Sequence, residues 1–178
     1  RMLLAALLML PLVALAQFVV LTHEQARVTP AQQLVLDADL RFELPAKFDR
    51  VLQAAVPLVF IAEAQVYARR WYWRDERIAS SQRTWKLLYQ PLTNTWRVTT
   101  GNASESYADL NSALIAVSRL ENWVLAGKTQ LDKADGRRLY VDLSYRLDTT
   151  QLPPLLLLGS GSGTRWDVGV QQQLDVDP

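Results

Sequence analysis

The segment 58–77, LVFIAEAQVYARRWYWRDER, constrains the fold more than any other part of the chain. Its even positions are apolar from Leu58 to Ala68. Its odd positions become mostly polar after Ile61. Alternation with a period of two residues is typical of a half-buried β-strand. Beyond Ala68 the large apolar rings move to odd positions, which a regular strand cannot accommodate on one buried face. We therefore predict one extended strand over 58–74 with a β-bulge or sharp twist near residues 69–70.

Length also constrains this segment. The seventeen residues of the predicted strand 58–74 would span about 56 Å in extended form, whereas a domain of about 150 residues is roughly 40 Å wide. A straight strand would overshoot the body of the domain, so the segment must bend, break or leave the sheet.

The end of the segment is both aromatic and basic, and it offers rings for stacking and guanidinium groups for anions. The same composition also fits a twisted strand with cross-strand aromatic pairs and solvated arginines, because aromatic side chains are common in strands. Both interpretations stay open. On the first one, the side chains that would bind a partner are Arg69, Arg70, Trp71, Trp73 and Arg74.

Other segments predict further strands. Strict alternation predicts strands over 34–44 and 138–147. Two shorter alternating segments separated by the turn 91–94 predict a hairpin over 83–100. We expect this hairpin to pair with the end of the central strand that carries residues 71–73. Residues 78–82 are polar and indicate a connection, and residue 166 begins a weak last strand.

Apolar residues at helical spacing predict two helices, over 46–55 and over 106–119. Ser106 is the expected cap of the second, with Asp109 three residues later. The stretch 122–136 is polar and ends in a turn at residues 134–136. The fold class predicted is α+β, with an antiparallel, strongly twisted β-sheet or a two-layer β-sandwich that carries the two helices.

The first residues have the composition of an export signal. An apolar run follows Arg1 and ends in Ala14-Leu15-Ala16, as in a secretory signal peptide over 1–16. The apolar stretch continues through residue 21, so a membrane anchor over 1–21, tethering the chain through 2–21, is the alternative. Residues 17–32 predict a polar linker and residues 33–178 a single α+β domain. Either alternative predicts export of the domain.

The composition argues against most kinds of catalysis. The chain has no cysteine, which excludes disulfides, thiolate metal sites and a thiol nucleophile. Its net charge is +1, so no overall field indicates nucleic-acid binding. The single histidine, His23, lies in the expected linker, and hydrolase motifs such as GxSxG and HExxH are absent. Asp37 and Asp39 share a strand face, where a solvated surface is a better explanation than a glycosidase carboxylate pair. We expect no enzyme, no metal and no cofactor.

Five motifs in order give the chain a resemblance to a known family. They are LDAD at 36–39, RWYWRDE at 70–76, KLLY and WRV at 86–98, YADLNSAL at 107–114 and LDTTQLP at 147–153. The chain resembles the DUF4390 family of exported bacterial proteins. The resemblance implies a periplasmic protein without an assigned activity. The genes of this family often lie beside a nitrogen-regulation-type membrane sensor histidine kinase, which implies such a receptor as partner.

Two functions remain in view. The first is a non-enzymatic envelope module that binds a protein partner, an accessory to a membrane signalling receptor, through the aromatic and basic residues near 69–74. The second is a carrier for an apolar ligand such as a lipid, held between a curved sheet and the helix over 106–119, with the apolar run 155–158 at the mouth. Residues 159–163, GSGSG, are expected to form a flexible loop.

Overall fold

The structure, a computed structural model, describes residues 19–153 and 168–177, and these residues are mostly β-strand. The strands are β1 (Val19–Val28), β2 (Leu34–Phe42), β3 (Leu58–Ala68), β4 (Glu76–Gln90), β5 (Thr95–Thr100), β6 (Ala103–Tyr107), β7 (Arg119–Ala126), β8 (Leu139–Asp148) and β9 (Gly169–Asp177). The helices are α1 (Lys47–Gln53), α2 (Leu110–Ser118) and α3 (Lys128–Asp132). The predicted combination of a sheet with helices is confirmed, and strands outweigh helices.

The nine strands form one sheet in the order β6-β5-β4-β3-β8-β9-β1-β2-β7. Every neighbouring pair is antiparallel except β1 and β9, so the sheet is mixed and not purely antiparallel as expected. The sheet curls on itself, as a contact between two distant strands shows. Trp123 of the edge strand β7 donates its Nε1–H to Oγ of Ser81 in β4 at 3.0 Å. The guanidinium carbon of Arg83 also lies 5.3 Å from the Trp123 ring centroid. An edge strand thus packs against a strand that is far from it in the sheet order.

The core is built from alternate residues of the strands and the inner faces of α1 and α2. In β3 every even position is buried. The hydroxyl of Tyr145 donates to the carbonyl oxygen of Val117 at 2.8 Å, which fixes α2 on the sheet. Four rings with centroid separations between 5.3 and 6.1 Å meet at this point: Phe42, Phe60, Trp85 and Tyr145.

The strand predicted over 58–74 is shorter than the sequence indicated. β3 ends at Ala68, and residues 69–75 form an irregular loop that leads into β4. The same parity is buried along all of β3, so the predicted β-bulge near residues 69–70 is wrong. The register irregularity of this pair lies instead in β4, where Ile78 is skipped between the partners of Val66 and Tyr67. The shift of the large apolar residues from even to odd positions therefore marks the end of β3. Because the strand stops at Ala68, it does not overshoot the body of the domain.

The predicted hairpin exists, but its expected position is wrong. Residues 78–82 are part of β4 and not a connection. β4 and β5 are joined by the turn 91–94 and pair only through residues 85–90 and 95–100. Because Leu58 lies opposite Leu87, this hairpin is at the start of β3, away from residues 71–73.

The predicted linker over 17–32 is also wrong, because β1 occupies most of it. β1 has only two buried residues, Val19 and Ala26, so it has no apolar alternation that could reveal it. Its order comes from backbone pairing with β2 on one side and, through a short parallel register, with β9 on the other. His23 is exposed on β1, opposite Asp39.

Asp37 and Asp39 hold neighbouring strands together. Asp37 forms an ion pair with Arg27 of β1 and accepts a hydrogen bond from the backbone N–H of Asn122 at 2.7 Å. Burial raises the pKa of Asp37, but the donors Asn122 and Arg27 outweigh it and the net pKa is lowered. Asp39 lies 3.5 Å from Nε of Arg119. These contacts join β2 to β1 and to β7 through the two carboxylates.

The second helix begins later than predicted. Ser106 lies in β6, and Asp109 caps α2 by accepting a hydrogen bond from the Ser112 N–H at 2.8 Å. The polar stretch 122–136 contains the end of β7 and α3, which the sequence did not reveal. The turn at 134–136 is confirmed by positive φ angles of 48° at Asp135 and 70° at Gly136.

Some predictions concern residues that the structure does not describe. These are the signal segment 1–16, the apolar run 155–158, the Gly/Ser segment 159–163 and residue 166. Within residues 19–153 and 168–177, no helix is long and apolar enough to span a bilayer.

Candidate interaction surface

The loop between β3 and β4, residues 69–75, carries the largest exposed rings of the described residues; we call it the aromatic loop. Trp71 is 93% exposed, Tyr72 67% and Trp73 74%. The rings of Trp71 and Tyr72 meet edge to face with centroids 5.1 Å apart. Three adjacent rings therefore face solvent at one point, where a folded chain normally buries such side chains.

The carboxylate of Asp75 fixes the conformation of the aromatic loop. Its Oδ1 accepts a hydrogen bond from the backbone N–H of Arg70 at 2.9 Å, and its Oδ2 accepts one from the Tyr140 hydroxyl at 3.0 Å. These two donors lower the pKa of Asp75, the Arg70 N–H most of all. Burial together with the Asp75 carboxylate raises the pKa of Tyr140 to about 12. Asp75 thus links Arg70, the second residue of the loop, to Tyr140 of β8.

Arg69 joins the start of the loop to β8 and β9. Its Nη2 lies 3.0 Å from Oδ1 of Asp175, and its guanidinium carbon lies 4.8 Å from the ring centroid of Tyr140. Its backbone N–H donates to the carbonyl oxygen of Arg138 at 2.9 Å. The ring of Tyr140 in turn stacks on Tyr67 at 5.2 Å. The loop therefore rests on a stacked aromatic pair that belongs to the sheet.

Glu76, the first residue of β4, holds two arginines side by side. Its Oε2 lies 2.5 Å from Nη2 of Arg70 and 2.9 Å from Nη2 of Arg137. The hydrogen bonds from Arg137 and Arg70 lower the pKa of Glu76. Arg137 also donates to the carbonyl oxygens of Ala134 and Lys133, at 2.8 and 2.7 Å. One carboxylate thus links the aromatic loop to the turn that follows α3.

A groove of about 890 Å³ lies between the aromatic loop and the segment 133–138; we call it the basic groove. Trp71 and Tyr72 line it together with a single acidic residue, Asp135. The side chains of Lys133 and Arg138 are exposed and form no ion pair with any residue that the structure describes. The cationic side chains that line it are Arg69, Arg70, Lys133, Arg137 and Arg138.

All five residues predicted as a binding surface lie in the aromatic loop, although not as a strand. Three of them, Arg69, Arg70 and Trp71, line the basic groove, whereas Trp73 and Arg74 are exposed beside it. The opposite wall, residues 133–138, was not predicted as part of the site. Its only signal was the Arg137-Arg138 pair directly before a clear strand, and nothing in the sequence says which loop such a pair faces.

The register of the strands places the aromatic loop at one end of the sheet. Ala68 lies opposite Leu139 in β8, and Tyr140 lies opposite Asp175 in β9. β9 runs parallel to β1 through the pairing of Ala26 with Val176, so the end of β1 lies near the loop. The start of β1, at Val19, is therefore at the opposite end of the sheet.

A second depression, of about 380 Å³, lies between β2 and α2, where a carrier for an apolar ligand was expected to hold its cargo. Its apolar lining consists of Leu40, Phe42, Leu114 and Ile115. Six polar residues complete the wall, among them Asp39 and Arg119. The depression is smaller than the basic groove and more polar than a lipid site normally is. Among the described residues, no cluster of His, Asp and Glu side chains is placed to hold a metal ion.

Comparison with known proteins gives a family match over most of the chain. Residues 21–174 match the family described as "Domain of unknown function (DUF4390)". The matched range begins inside β1 and ends inside β9, so it covers the sheet, the aromatic loop and the basic groove. No curated protein and no solved structure matches the chain.

Proposed function

The chain belongs to the DUF4390 family of domains of unknown function, and because that description assigns no activity, we propose a function from its surface. We propose that it is a non-enzymatic, exported module of the cell envelope that binds a protein partner through the aromatic loop.

The observation that carries this proposal is the exposure of Trp71, Tyr72 and Trp73 on a loop whose backbone is already held in place. Tryptophan, tyrosine and arginine are the residues most enriched among those that contribute strongly to protein–protein binding. A loop fixed by Asp75 and Arg69 loses less conformational entropy on binding than a mobile one, so more of the contact energy becomes affinity. Both features support a surface that is prepared for a partner.

The ionisable groups near the loop support binding more than catalysis. Asp75 and Glu76 both accept hydrogen bonds that lower their pKa values, so both are ionised at neutral pH. A general acid or base needs a pKa near the working pH, and these two carboxylates are shifted away from it. Their charges instead position Arg70, Arg137 and Tyr140.

The position of the loop favours a protein over a bilayer as its partner. The loop and Val19 lie at opposite ends of the sheet. If the chain is tethered through residues 2–21, the loop would point away from the bilayer that holds the tether. The partner we propose is the outer portion of a membrane signalling receptor, a sensor histidine kinase, in the periplasm.

Affinity capture with the purified full chain tests this proposal. We expect wild-type protein to capture the sensor kinase from solubilised envelope extract, identified by mass spectrometry. The double variant Trp71→Ala/Trp73→Ala should lose it. The matched control is Leu92→Ala, which truncates an apolar side chain that is 102% exposed in the turn at the other end of the sheet. Capture of the kinase by the double variant, or its loss with Leu92→Ala, would contradict the proposal.

A carrier for an apolar ligand is the second candidate. Ile115 is 47% exposed beside the depression between β2 and α2, and such a side chain could contact a lipid chain. Native mass spectrometry of the purified protein decides this point. A carrier would release a co-purified lipid, and Ile115→Asp would reduce the amount bound; a mass equal to that of the chain alone would argue against this function.

A further inference from the structure

The basic groove concentrates positive charge in a chain that is almost neutral. The segments 69–77 and 133–138 together hold seven arginine and lysine residues and three carboxylates. Asp175, which pairs with Arg69, adds a fourth carboxylate. The local excess is therefore three positive charges, whereas the whole chain has a net charge of +1. The two walls of the groove are therefore more basic than the chain as a whole.

The cationic side chains of the groove outnumber the carboxylates that pair with them among the described residues. Arg70 and Arg137 share one oxygen of Glu76, so two guanidinium groups have one carboxylate between them. Lys133 and Arg138 have no carboxylate partner among the described residues. The guanidinium group of Arg70 donates one hydrogen bond, and that of Arg137 donates from Nε and Nη2 only, so both keep N–H donors for a ligand. Guanidinium groups match a carboxylate in a bidentate geometry.

The size and lining of the groove indicate what kind of anion fits. Its volume of about 890 Å³ is within the range of sites for ligands of many atoms, far above that needed by one small ion. Trp71 and Tyr72 form part of the same wall and favour an apolar group next to the charges. An extended peptide with several carboxylates and an apolar side chain satisfies both the cations and the rings.

We propose that the basic groove binds an acidic peptide segment of the protein partner, with Lys133 and Arg138 contacting carboxylates while Trp71 and Tyr72 pack on a neighbouring apolar side chain. This inference rests on the proposed function and names the chemistry of the partner. Charge complementarity of this kind accelerates association and selects the partner, and it weakens as salt screens it.

The test uses a fluorescein-labelled octapeptide of glutamate and leucine residues, and its counterpart with every glutamate replaced by glutamine, titrated with the full chain. Lys133→Glu/Arg138→Glu removes the two unpaired cations. Lys86→Glu/Arg97→Glu makes the same change of charge on exposed residues of β4 and β5, in the hairpin away from the groove. We expect fluorescence anisotropy to show at least about tenfold weaker binding of the acidic peptide by the first variant and less than about threefold by the second.

Binding should also weaken about tenfold between roughly 50 mM and 300 mM NaCl. Equal weakening by both variants, or equal binding of the glutamine peptide, would overturn the inference. So would binding of phosphatidylglycerol vesicles that depends on Lys133 and Arg138 while the acidic peptide does not bind. Because the probe is a synthetic peptide, its failure would leave a positive capture of the kinase standing, and the two proposals fail separately.

Discussion

Trp71→Ala and Trp123→Ala are a matched pair of substitutions that separates an exposed ring from a buried one. Trp71 is 93% exposed and Trp123 only 3%. A fully buried tryptophan removes about 250 Å² from water, so the fold buries about 18 Å² of Trp71, equivalent to about 0.4 kcal/mol at 25 cal/mol/Å². Even with its edge contact to Tyr72, we expect Trp71→Ala to lower the free energy of unfolding by less than about 1 kcal/mol.

Trp123→Ala should be far more costly. Its ring fills a core position in β7, contacts Arg83, and donates a hydrogen bond to Ser81, so it joins the edge of the sheet to β4. Truncation of a buried aromatic ring costs about 3–5 kcal/mol, because transfer energy is lost and a cavity remains.

Urea unfolding followed by far-ultraviolet circular dichroism measures both values without relying on the fluorescence of the other tryptophans. Native gel filtration of each variant checks that the folded states are comparable. A loss above about 2 kcal/mol for Trp71→Ala would refute the placement of this ring in solvent, and with it the interaction surface. A loss below about 1 kcal/mol for Trp123→Ala would refute the packing of β7 against β4.

Three further predictions follow from other contacts. Glu76 has a lowered pKa, so its ion pairs stabilise the loop above pH 4.5, its ordinary value, and that stabilisation is lost as pH falls through the lower pKa of the folded state. The indole N–H signals of the loop tryptophans should shift in that acidic range, and Glu76→Gln should reduce the shift to the part contributed by Asp75, whose pKa is also lowered; an unreduced shift would contradict this. Tyr145→Phe should lower the free energy of unfolding by about 1–2 kcal/mol, because the Val117 carbonyl loses a buried donor; an unchanged urea midpoint would contradict this. Gly169→Ala should cost about 1–3 kcal/mol, because its Cβ would lie 2.9 Å from the backbone oxygen of Tyr145; thermal unfolding at the wild-type temperature would refute the steric argument.

Periodicity predicted the strands that bury one face. β2 and β8 carry clear alternation, because every second residue enters the core and most of the others are at least partly exposed, with Val35 and Asp148 as buried exceptions. β1 and β6 were not predicted, because neither strand buries a face. β1 buries only Val19 and Ala26, and no residue of β6 is buried, so neither leaves an apolar pattern to detect. Their order depends on backbone pairing with strands that are distant in sequence, and a single sequence does not show those pairings.

The aromatic loop was misjudged because alternation of large rings continues past the point where β3 ends. Trp71 and Trp73 keep a period of two, but both are exposed and neither belongs to a strand. Five residues of this loop were named from the sequence as a binding surface, because large rings next to arginines indicate a contact surface in a strand or a loop alike; their role in binding stays a prediction. The wall formed by Lys133, Arg137 and Arg138 was not predicted, because only the pairing of β3 with β8 brings it opposite the loop.

The location of β9 affects how the protein can be attached to a support. Its last residues run beside the aromatic loop, and Asp175 contacts Arg69 directly. A resin, surface or fused carrier coupled just after Asp177 would stand next to the groove and could obstruct an incoming partner. Attachment ahead of Val19 leaves that end of the molecule open. A capture experiment should therefore attach the support ahead of Val19, a choice that follows from the strand order.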